Sequence, residues 1–324
     1  MKGAVMEMNV GILGTGFGAY HAKLLKAMPT VERIAVFGRN ETKLGEISEA
    51  LGVQVTTSAE ELLLDPGLDV IHICLPSSLH REYAVEALKH GKHVFCETPV
   101  CLELEDIAAM KQAEAAYGKR ILVNQFIKFD PPYQYLYEVT QSRKYGNLLS
   151  LTLKRETAPL WGDLGLSKVT TNLMIHELDC LTWILGQEAS PINVWGTGAG
   201  APGQAMVRAS FPYADGWAEV LCSSRMPDSY PFTVAYEAYF EHAKLVFHES
   251  DDENGVTHVV LTEYSSAGRK VLSLESVNPY EKSISYAHSC LQDGFASILS
   301  LEQAARAIEI AIKLREKLAQ KFLY

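Results

Sequence analysis

The chain has 324 residues, of which 48% are hydrophobic and 21% are charged, as in ordinary globular proteins. Its formal net charge of −10 argues against nucleic acid or an anionic membrane as the main partner. One hydrophobic core rarely serves a chain of this length, so we expect two domains. The sequence contains no apolar run of about 18 residues that would span a bilayer.

Six cysteines are dispersed along the chain, and no two of them form a Cys-x-x-Cys pair. Free thiols within apolar runs are typical of a reducing compartment. The N-terminal stretch MKGAVMEMNVGILGTG has no long apolar segment before a cleavage site. We therefore expect a cytoplasmic protein without a secretory signal.

Strand-like and helix-like segments alternate over residues 8–124 at the spacing of βαβ units. Right-handed crossovers between them predict an α/β fold, a doubly wound parallel sheet of the Rossmann type, for a first domain at 1–124. The predicted strands are Asn9–Leu13, Arg33–Phe37, Val53–Thr56, Val70–Leu75, His93–Cys96 and Arg120–Asn124. The predicted helices are Ala19–Lys26, Glu41–Leu51, Ser58–Leu64, His80–His90 and Leu104–Tyr117.

The pattern changes after Asn124, and we predict a second, α+β domain at 125–324. A helix starts at Asp130-Pro131-Pro132 and is expected to end near Tyr145-Gly146. Later segments alternate in hydrophobicity, which predicts a largely antiparallel open sheet whose free face would form a homodimer or homotetramer. The strands are Leu148–Arg155, Ile192–Gly196, Gln204–Ser210, Gly216–Ser223, Phe232–Phe240, Lys244–His248, His258–Thr262 and Arg269–Leu274, with further helices at Leu173–Leu185 and Ser300–Phe322.

A glycine-rich turn follows the first strand, in VGILGTGFGA at residues 10–19. Read as Gly-x-Gly-x-x-Ala, it uses Gly14 for the tight turn, Gly16 for backbone approach to a pyrophosphate and Ala19 for close helix packing. The helix that follows offers amides and a positive dipole end to phosphates. The turn predicts dinucleotide binding through Gly14, Thr15, Gly16, Phe17 and Gly18, with a purely structural turn as the alternative.

The end of the second strand carries information on the cofactor's ribose. Phe37 is followed by Gly38-Arg39-Asn40, and the first carboxylate is at Glu41. A planar cation such as Arg39 suits a 2′-phosphate, so Arg39 and Asn40 favour NADP as the cofactor. If Glu41 turned inward instead, NAD would be favoured.

Asp69–Pro99 reads as strand, helix, strand, and each strand ends where ligands bind in wound sheets. The segment resembles the glucose–fructose oxidoreductase / inositol dehydrogenase family, whose members typically read P-N-x-x-H after one strand and A-G-K-H-V-x-x-E-K-P at the next. The matching residues are Pro76, His80, Gly91-Lys92-His93-Val94, Glu97 and Pro99, whereas Ser77 and Thr98 depart from the pattern.

This resemblance implies an NAD(P)-dependent oxidoreductase that acts on a sugar, a cyclitol or a related polar carbonyl compound. It implies cofactor contacts from Leu75, Pro76, His80, Glu97 and Thr98, although a helix-start role for His80 is equally open. The family's lysine usually contacts both the nicotinamide ribose and the substrate hydroxyl. Thr98 stands in its place without a charge, and Lys128 is a candidate to supply one.

The family's second signature, commonly D-x-x-x-H-x-x-D, is matched by Asn172-Leu-Met-Ile-His176-Glu177-Leu-Asp179. Spacings of four and three place Asn172, His176 and Asp179 on one helical face. His176 is then the predicted proton donor or acceptor, Asp179 an orienting group and Asn172 a substrate ligand. A histidine that only caps a core helix is the alternative.

The remaining histidines show no metal-ligand spacing, so we predict no metal site. His21 is expected to be an ordinary helix residue, and the others to lie at the surface or in strands: His72, His90, His93, His242, His248, His258 and His288. Because Thr98 and Asn172 both depart from the family pattern, two alternatives stay open. They are a nicotinamide-nucleotide-binding sensor without activity and a cofactor-assisted glycoside-cleaving enzyme.

Overall fold

The fold is taken from a computed structural model, in which residues 7–159, 162–186, 189–198 and 203–322 are described. The strands are β1 Met8–Leu13, β2 Val31–Phe37, β3 Gln54–Thr56, β4 Val70–Ile73, β5 His93–Cys96, β6 Ile121–Val123, β7 Leu148–Glu156, β8 Asn193–Thr197, β9 Met206–Tyr213, β10 Gly216–Ser223, β11 Thr233–Phe240, β12 Ala243–Asp251, β13 Thr257–Ser265 and β14 Gly268–Leu272. The helices are α1 Phe17–Lys26, α2 Glu41–Leu51, α3 Ala59–Leu64, α4 His80–Lys89, α5 Leu104–Tyr117, α6 Pro131–Gln141, α7 Val169–Asn172, α8 Ile175–Leu185, α9 Pro279–Asp293 and α10 Leu301–Phe322.

The chain divides into two compact units. The first comprises Met1–Phe126 together with Tyr280–Ala305, and the second comprises Ile127–Pro279 together with Arg306–Tyr324. The chain therefore returns to the first unit late in the sequence, through α9. The continuous ranges 1–124 and 125–324 that we predicted do not include this return, because we predicted no helix at the position of α9.

The first unit is built on a parallel sheet in the order β3-β2-β1-β4-β5-β6. Each neighbouring pair of these strands is parallel, and every residue of β4 is buried. The order reverses between β1 and β4, and the carboxyl ends of strands at such a point form a crevice for ligands. The predicted α/β fold of the Rossmann type is confirmed.

The second unit is built on a sheet in the order β14-β13-β12-β11-β7-β10-β9-β8. Its neighbours pair antiparallel except β7 and β10, which are parallel. The predicted α+β domain with a largely antiparallel sheet is therefore confirmed. Alternate side chains of β11 are buried, while Trp195, Trp217 and Tyr239 remain exposed on the opposite face.

Two predicted helices of the second unit differ from the structure. The helix that was expected to end near Tyr145-Gly146 ends at Gln141, and Arg143 follows with a φ of 52°. The predicted helix Leu173–Leu185 begins only at Ile175, after the short helix α7 and the non-helical residue Leu173. Within the described ranges, none of the helices combines the length and apolarity that a bilayer crossing requires.

Candidate active site

A cavity of about 360 Å³ opens in the first unit at the carboxyl ends of β1, β2 and β4. It lies where the strand order reverses, as expected for a nucleotide site in such a sheet. Six of its lining residues were predicted to bind the cofactor: Gly14, Thr15, Gly16, Arg39, Leu75 and Pro76. Phe37, Gly38 and Cys74 complete the lining, and sequence reasoning did not single them out as contacts.

The glycines of the turn fit a dinucleotide for two different reasons. Gly14 has a φ of +117°, and a Cβ there would lie 2.5 Å from the carbonyl oxygen of Cys74. At Gly16 a Cβ would meet nothing within 4 Å, although this residue lines the cavity. The space beside Gly16 is therefore open to a ligand that approaches the backbone and the first amides of α1. A pyrophosphate is the group that this arrangement suits.

A cationic residue, Arg39, follows the end of β2. Arg39 is exposed and lines the cavity, and no carboxylate is present among the described lining residues. Asn40 has a different use from the predicted cofactor contact, because its Oδ1 accepts a hydrogen bond from the backbone N–H of Lys43 at 3.0 Å. This bond caps α2, and asparagine is among the preferred residues for that position.

Two other predicted contacts lie outside the cavity lining. Gly18 is buried, and a Cβ there would lie 2.9 Å from Cγ2 of Ile12, so its small size permits α1 to pack closely on β1. Phe17 is 39% exposed and packs on the rings of Tyr20 and Tyr280 at centroid distances of 5.3 and 5.2 Å. For both residues the structure gives packing roles within the protein.

His80 connects the loops that follow β4 and β5. Its Nε2 lies 2.7 Å from the carbonyl oxygen of Leu75 and its Nδ1 lies 3.0 Å from that of Pro99. Burial lowers the pKa of His80, which these carbonyls partly offset. Because both ring nitrogens already have partners, this geometry favours the helix-start role over direct contact with a cofactor.

Glu97 follows β5 and has its partners inside the first unit. Its Oε1 accepts from His21 Nε2 at 2.8 Å and from Asn124 Nδ2 at 2.6 Å. The neighbouring Thr98 is half-buried and precedes Pro99 through a cis peptide bond. Glu97 is thus held at the carboxyl edge of the sheet, where the resemblance implied a cofactor contact.

Three buried histidines continue inward from Glu97. His21 lies in α1 and His72 in β4, as expected, but both are hydrogen-bonded to other side chains, and His288 lies in a helix instead of at the surface or in a strand. His21 Nδ1 lies 3.0 Å from His72 Nδ1, and His72 Nε2 lies 3.0 Å from His288 Nε2. All three side chains are buried, His21 and His72 completely. The sequence held one weak signal, since a histidine within the apolar strand VIHI needs a polar partner when it is buried. His288 lies on α9, which was not predicted at all.

Three other predicted site residues lie in the second unit, on two different helices. Asn172 is exposed on α7 and accepts from Thr171 Oγ1 at 2.9 Å, whereas His176 and Asp179 are on α8. The spacing therefore does not place Asn172 on the face that we predicted. Burial, together with the charge of Arg155, lowers the pKa of His176 well below its usual range, so the imidazole is neutral near pH 7.

Lys128 and Asp179 form a buried ion pair in this unit. Their Nζ and Oδ1 atoms are 3.0 Å apart, and the two side chains are 1% and 7% exposed. Burial lowers the pKa of Lys128 and raises that of Asp179, and the attraction between them opposes both shifts. The predicted charge of Lys128 thus has a carboxylate partner one helical turn from His176.

A second buried pair lies one residue after His176. Arg155 Nε donates to both carboxylate oxygens of Glu177, at 2.7 and 2.9 Å. Burial raises the pKa of Asp130 to about 7, with a further contribution from the charge of Glu249. Sequence reasoning did not single out Glu177 or Asp130, because these interactions depend on the packing of α6, α8 and β7.

Comparisons with known proteins agree with this fold and this cavity. Residues 8–125 match the oxidoreductase family described by an NAD-binding Rossmann fold. The chain is 29% identical over 191 residues to myo-inositol 2-dehydrogenase from Thermotoga maritima, and 29% identical over 185 residues to inositol 2-dehydrogenase from Azotobacter vinelandii. These alignments cover 57% and 56% of this chain but only 57% and 55% of the relatives, so the chain matches little more than half of their length.

Solved structures extend the likeness in fold to almost the whole chain. UDP-N-acetylglucosamine 3-dehydrogenase from Acidithiobacillus ferrooxidans has a TM-score of 0.78 and 20% identity, covering 96% of this chain and 97% of the other. A 3-ketoreductase from Actinomadura kijaniata in complex with NADP has a TM-score of 0.80 and 16% identity, with the same coverage. At such identities the likeness concerns the fold. The sequence likeness to the glucose–fructose oxidoreductase / inositol dehydrogenase family of oxidoreductases therefore concerns the NAD-binding Rossmann segment, residues 8–125, and the residues aligned with these relatives.

Proposed function

We propose that this protein is an NAD(P)-dependent oxidoreductase that transfers hydride between the nicotinamide and a sugar, a cyclitol or a related polar alcohol or carbonyl compound. The observation that carries the proposal is the cavity lined by Gly14, Gly16 and Arg39 at the strand-order reversal. The relatives named above support the substrate class. When bound, the nicotinamide supplies the hydride acceptor or donor, and the protein supplies orientation and proton exchange.

The chain's own residues divide this work. Gly14 and Gly16 admit the pyrophosphate to the start of α1, and Arg39 binds the ribose end of the dinucleotide. His176 accepts the hydroxyl proton during oxidation or returns it during reduction. Asp179, paired with Lys128, fixes the helical turn that carries His176. Incubation of NADP+ or NAD+ with a panel of polyols, and of NADPH or NADH with a panel of ketoses, followed through the absorbance of the reduced nicotinamide, tests the proposal; binding without turnover on any of these compounds contradicts it.

His176→Gln keeps a hydrogen-bonding side chain of similar size but cannot exchange a proton at neutral pH. We expect the turnover number to fall by about 100-fold or more, a usual effect of losing a general acid or base. The dissociation constant of the dinucleotide should stay within about twofold, because His176 is not among the described residues that line the dinucleotide cavity. His258→Gln is the matched control, since His258 is exposed and pairs with Asp252. Equal loss of turnover in both variants would contradict the role of His176.

We further propose NADP as the preferred cofactor, because Arg39 is the cation of the cavity. Arg39→Asp is expected to weaken NADP+ binding by about tenfold or more and to reverse the preference toward NAD+, since a carboxylate repels the 2′-phosphate. The matched control is Lys43→Asp, the same change of charge on the exposed face of α2. Calorimetric titration of both cofactors into both variants decides the point, and an unchanged preference in Arg39→Asp would refute it.

A second candidate function is a nicotinamide-nucleotide-binding sensor without turnover. Thr98 favours it, because a threonine hydroxyl cannot replace the cationic donor of the family's lysine at a developing alkoxide. Thr98→Lys separates the two functions. The oxidoreductase proposal expects a sound site whose activity the lysine raises or leaves intact, whereas the sensor would bind the cofactor and stay inactive in both forms.

We also propose that the protein assembles as a homodimer or homotetramer through the open face of its second sheet. Trp195, Trp217 and Tyr239 share that face and are 51%, 56% and 41% exposed. Aromatic side chains exposed together are typical of interfaces. A monomer in sedimentation velocity at micromolar concentration would contradict this.

A further inference from the structure

Four side chains of the first unit form one hydrogen-bonded line that the proposed reaction leaves unused. We call His288, His72 and His21 the histidine chain; it ends on the carboxylate of Glu97. Their nitrogens approach one another directly at 3.0 Å, which leaves no room for a metal ion between them. Among the described residues no group of three or more side chains is arranged to hold a metal. The property to determine is therefore which ring nitrogen of each histidine carries a proton.

The direction of every hydrogen bond in the chain follows from its outer end. An ionised carboxylate only accepts, so His21 donates from Nε2 to Glu97. A neutral imidazole has one N–H, so Nδ1 of His21 accepts from Nδ1–H of His72. By the same rule Nε2 of His72 accepts from Nε2–H of His288. His288 Nδ1 then carries a lone pair, and it is buried without a hydrogen-bond partner among the described residues.

If His21 took up a second proton, the direction of both hydrogen bonds between the histidines would reverse. His21 would then donate from Nδ1 to His72, and His72 would donate to His288. The last proton would stand on His288 Nδ1 as a buried N–H without an acceptor, which proteins rarely tolerate. Burial also lowers the pKa of His72 well below its usual range and that of His288 to about 4, so neither imidazole takes up a proton near pH 7.

The second donor to Glu97 is the neutral amide of Asn124. Ser283 Oγ donates to Asn124 Oδ1 at 2.8 Å, which orients the amide so that its Nδ2 donates to Glu97. Within the described part of the chain, Glu97 forms no ion pair with a lysine or an arginine. The charge of Glu97 raises the pKa of the His80 imidazole and of the Cys74 and Cys96 thiols. Burial raises the pKa of both thiols, so they are neutral near pH 7, and it lowers the pKa of His80, which the carbonyls beside its ring and the charge of Glu97 partly offset.

We propose that the histidine chain keeps His21 neutral, that Glu97 therefore carries a net negative charge at the end of β5, and that this charge favours the oxidised dinucleotide over the reduced one. The inference rests on the proposed function, because it needs a nicotinamide cofactor. The oxidised nicotinamide ring is a cation and the reduced ring is neutral, so a fixed carboxylate stabilises the oxidised form selectively. Cys74, a wall residue of the cavity, lies within the electrostatic reach of Glu97.

The first test removes the charge and keeps the shape. Glu97→Gln can still accept from His21 and Asn124, but it is neutral. We expect the ratio of the dissociation constants, reduced over oxidised, to fall about tenfold, mainly through weaker binding of the oxidised form. Calorimetric titration of both redox forms gives the ratio without any turnover. His90→Gln, at the exposed residue that follows α4, is the control, and it should leave the ratio unchanged.

The second test reverses the direction of the hydrogen bonds in the histidine chain by replacing His288, the member farthest from Glu97. His288→Glu places an acceptor opposite His72 Nε2, so that His72 must donate inward and His21 must donate from Nδ1 as well as to Glu97. His21 is then an imidazolium that neutralises Glu97, and the ratio should fall as in Glu97→Gln. His288→Gln has the same shape without a charge and is expected to keep most of the wild-type ratio. An equal ratio in these two variants would overturn the role of the chain.

A measurement on the unaltered protein covers the case in which a buried carboxylate prevents folding. Nitrogen-15 NMR of histidine side chains distinguishes the two neutral tautomers from the imidazolium. We expect His21 and His288 as the Nε2–H tautomer and His72 as the Nδ1–H tautomer at neutral pH; an imidazolium at His21 would overturn the inference.

If neither redox form of the dinucleotide binds in the calorimetric titrations, the proposed function fails. If both bind and Glu97→Gln leaves the ratio unchanged, the proposed function stands and this inference fails.

Discussion

Replacing Lys128 with methionine is expected to lower the free energy of unfolding by about 3–5 kcal/mol, the usual effect of removing one partner of a buried ion pair. Methionine fills a similar volume, so the loss comes mainly from the carboxylate of Asp179. That side chain is 7% exposed and would lose the ammonium group 3.0 Å away. It must then stay ionised without this cation or take up a proton. Equilibrium unfolding in urea, followed by circular dichroism, measures the change.

Two controls separate charge from packing in this experiment. The double variant Lys128→Met with Asp179→Leu removes both charges and should recover most of the lost stability, because apolar replacements of buried pairs are often neutral. Lys168→Met removes a cation from an ion pair of similar length, 2.9 Å to Asp163, whose side chains are 52% and 51% exposed. That variant should change the stability by less than about 1 kcal/mol. A comparable loss in both single variants would show that the buried pair is not special.

Gly16→Val is expected to weaken binding of the oxidised dinucleotide by about 100-fold while the protein stays folded. A Cβ at Gly16 would meet no protein atom within 4 Å, so the added side chain has room in the protein itself. It would occupy the cavity beside the first amides of α1, where we place the pyrophosphate. Calorimetry gives the affinity, and thermal unfolding monitors the fold.

Gly45→Ala is the matched control for this substitution. Gly45 lies on the exposed face of α2, and a Cβ there also meets nothing within 4 Å. Alanine in a helix interior should raise the stability by about 0.5–1 kcal/mol and leave binding unchanged. Retained affinity in Gly16→Val would mean that the dinucleotide does not lie where the glycine turn predicts.

The dinucleotide cavity was accessible to sequence reasoning because its determinants are local. Gly14 and Gly16 are two residues apart, and Arg39 and Pro76 each follow a strand whose apolar run is easily recognised. In a parallel sheet those strand ends must meet at one edge. The lining of the cavity therefore follows from the order of the strands, and each missed member (Phe37, Gly38 and Cys74) lies within two residues of a predicted one.

The histidine chain and the site of the second unit depend on contacts that are distant in sequence. His72 and His288 are 216 residues apart, and no local spacing connects β4 with α9. The break before Ile175 was hidden for a different reason, since VTTNLMIHELD keeps a helical period across it. Only the backbone at Leu173, with φ −123° and ψ −53°, removes Asn172 from the face of His176. Periodicity predicts a helix, but it does not show where tertiary packing interrupts it.

Thr98 and the hydrogen bonds of Glu97 can be interpreted together. In the family pattern a lysine follows the glutamate and brings a positive charge to the end of β5. Here a neutral hydroxyl follows, and the histidine chain supplies hydrogen bonds to Glu97 without supplying a charge. We infer that the negative charge at the end of β5 replaces the usual charge balance of the site.

Hydrogen exchange of the full chain with and without NADP+ tests the central claim most directly, because it locates the dinucleotide. We predict slower amide exchange in Gly14–Phe17 and in Gly38–Asn40, the segments at the ends of β1 and β2. Amides of β12 to β14 in the second unit should be unaffected and serve as the internal reference. Unchanged exchange at Gly14–Phe17 with saturating NADP+ and NAD+ would contradict the assignment of this cavity as the nicotinamide dinucleotide site.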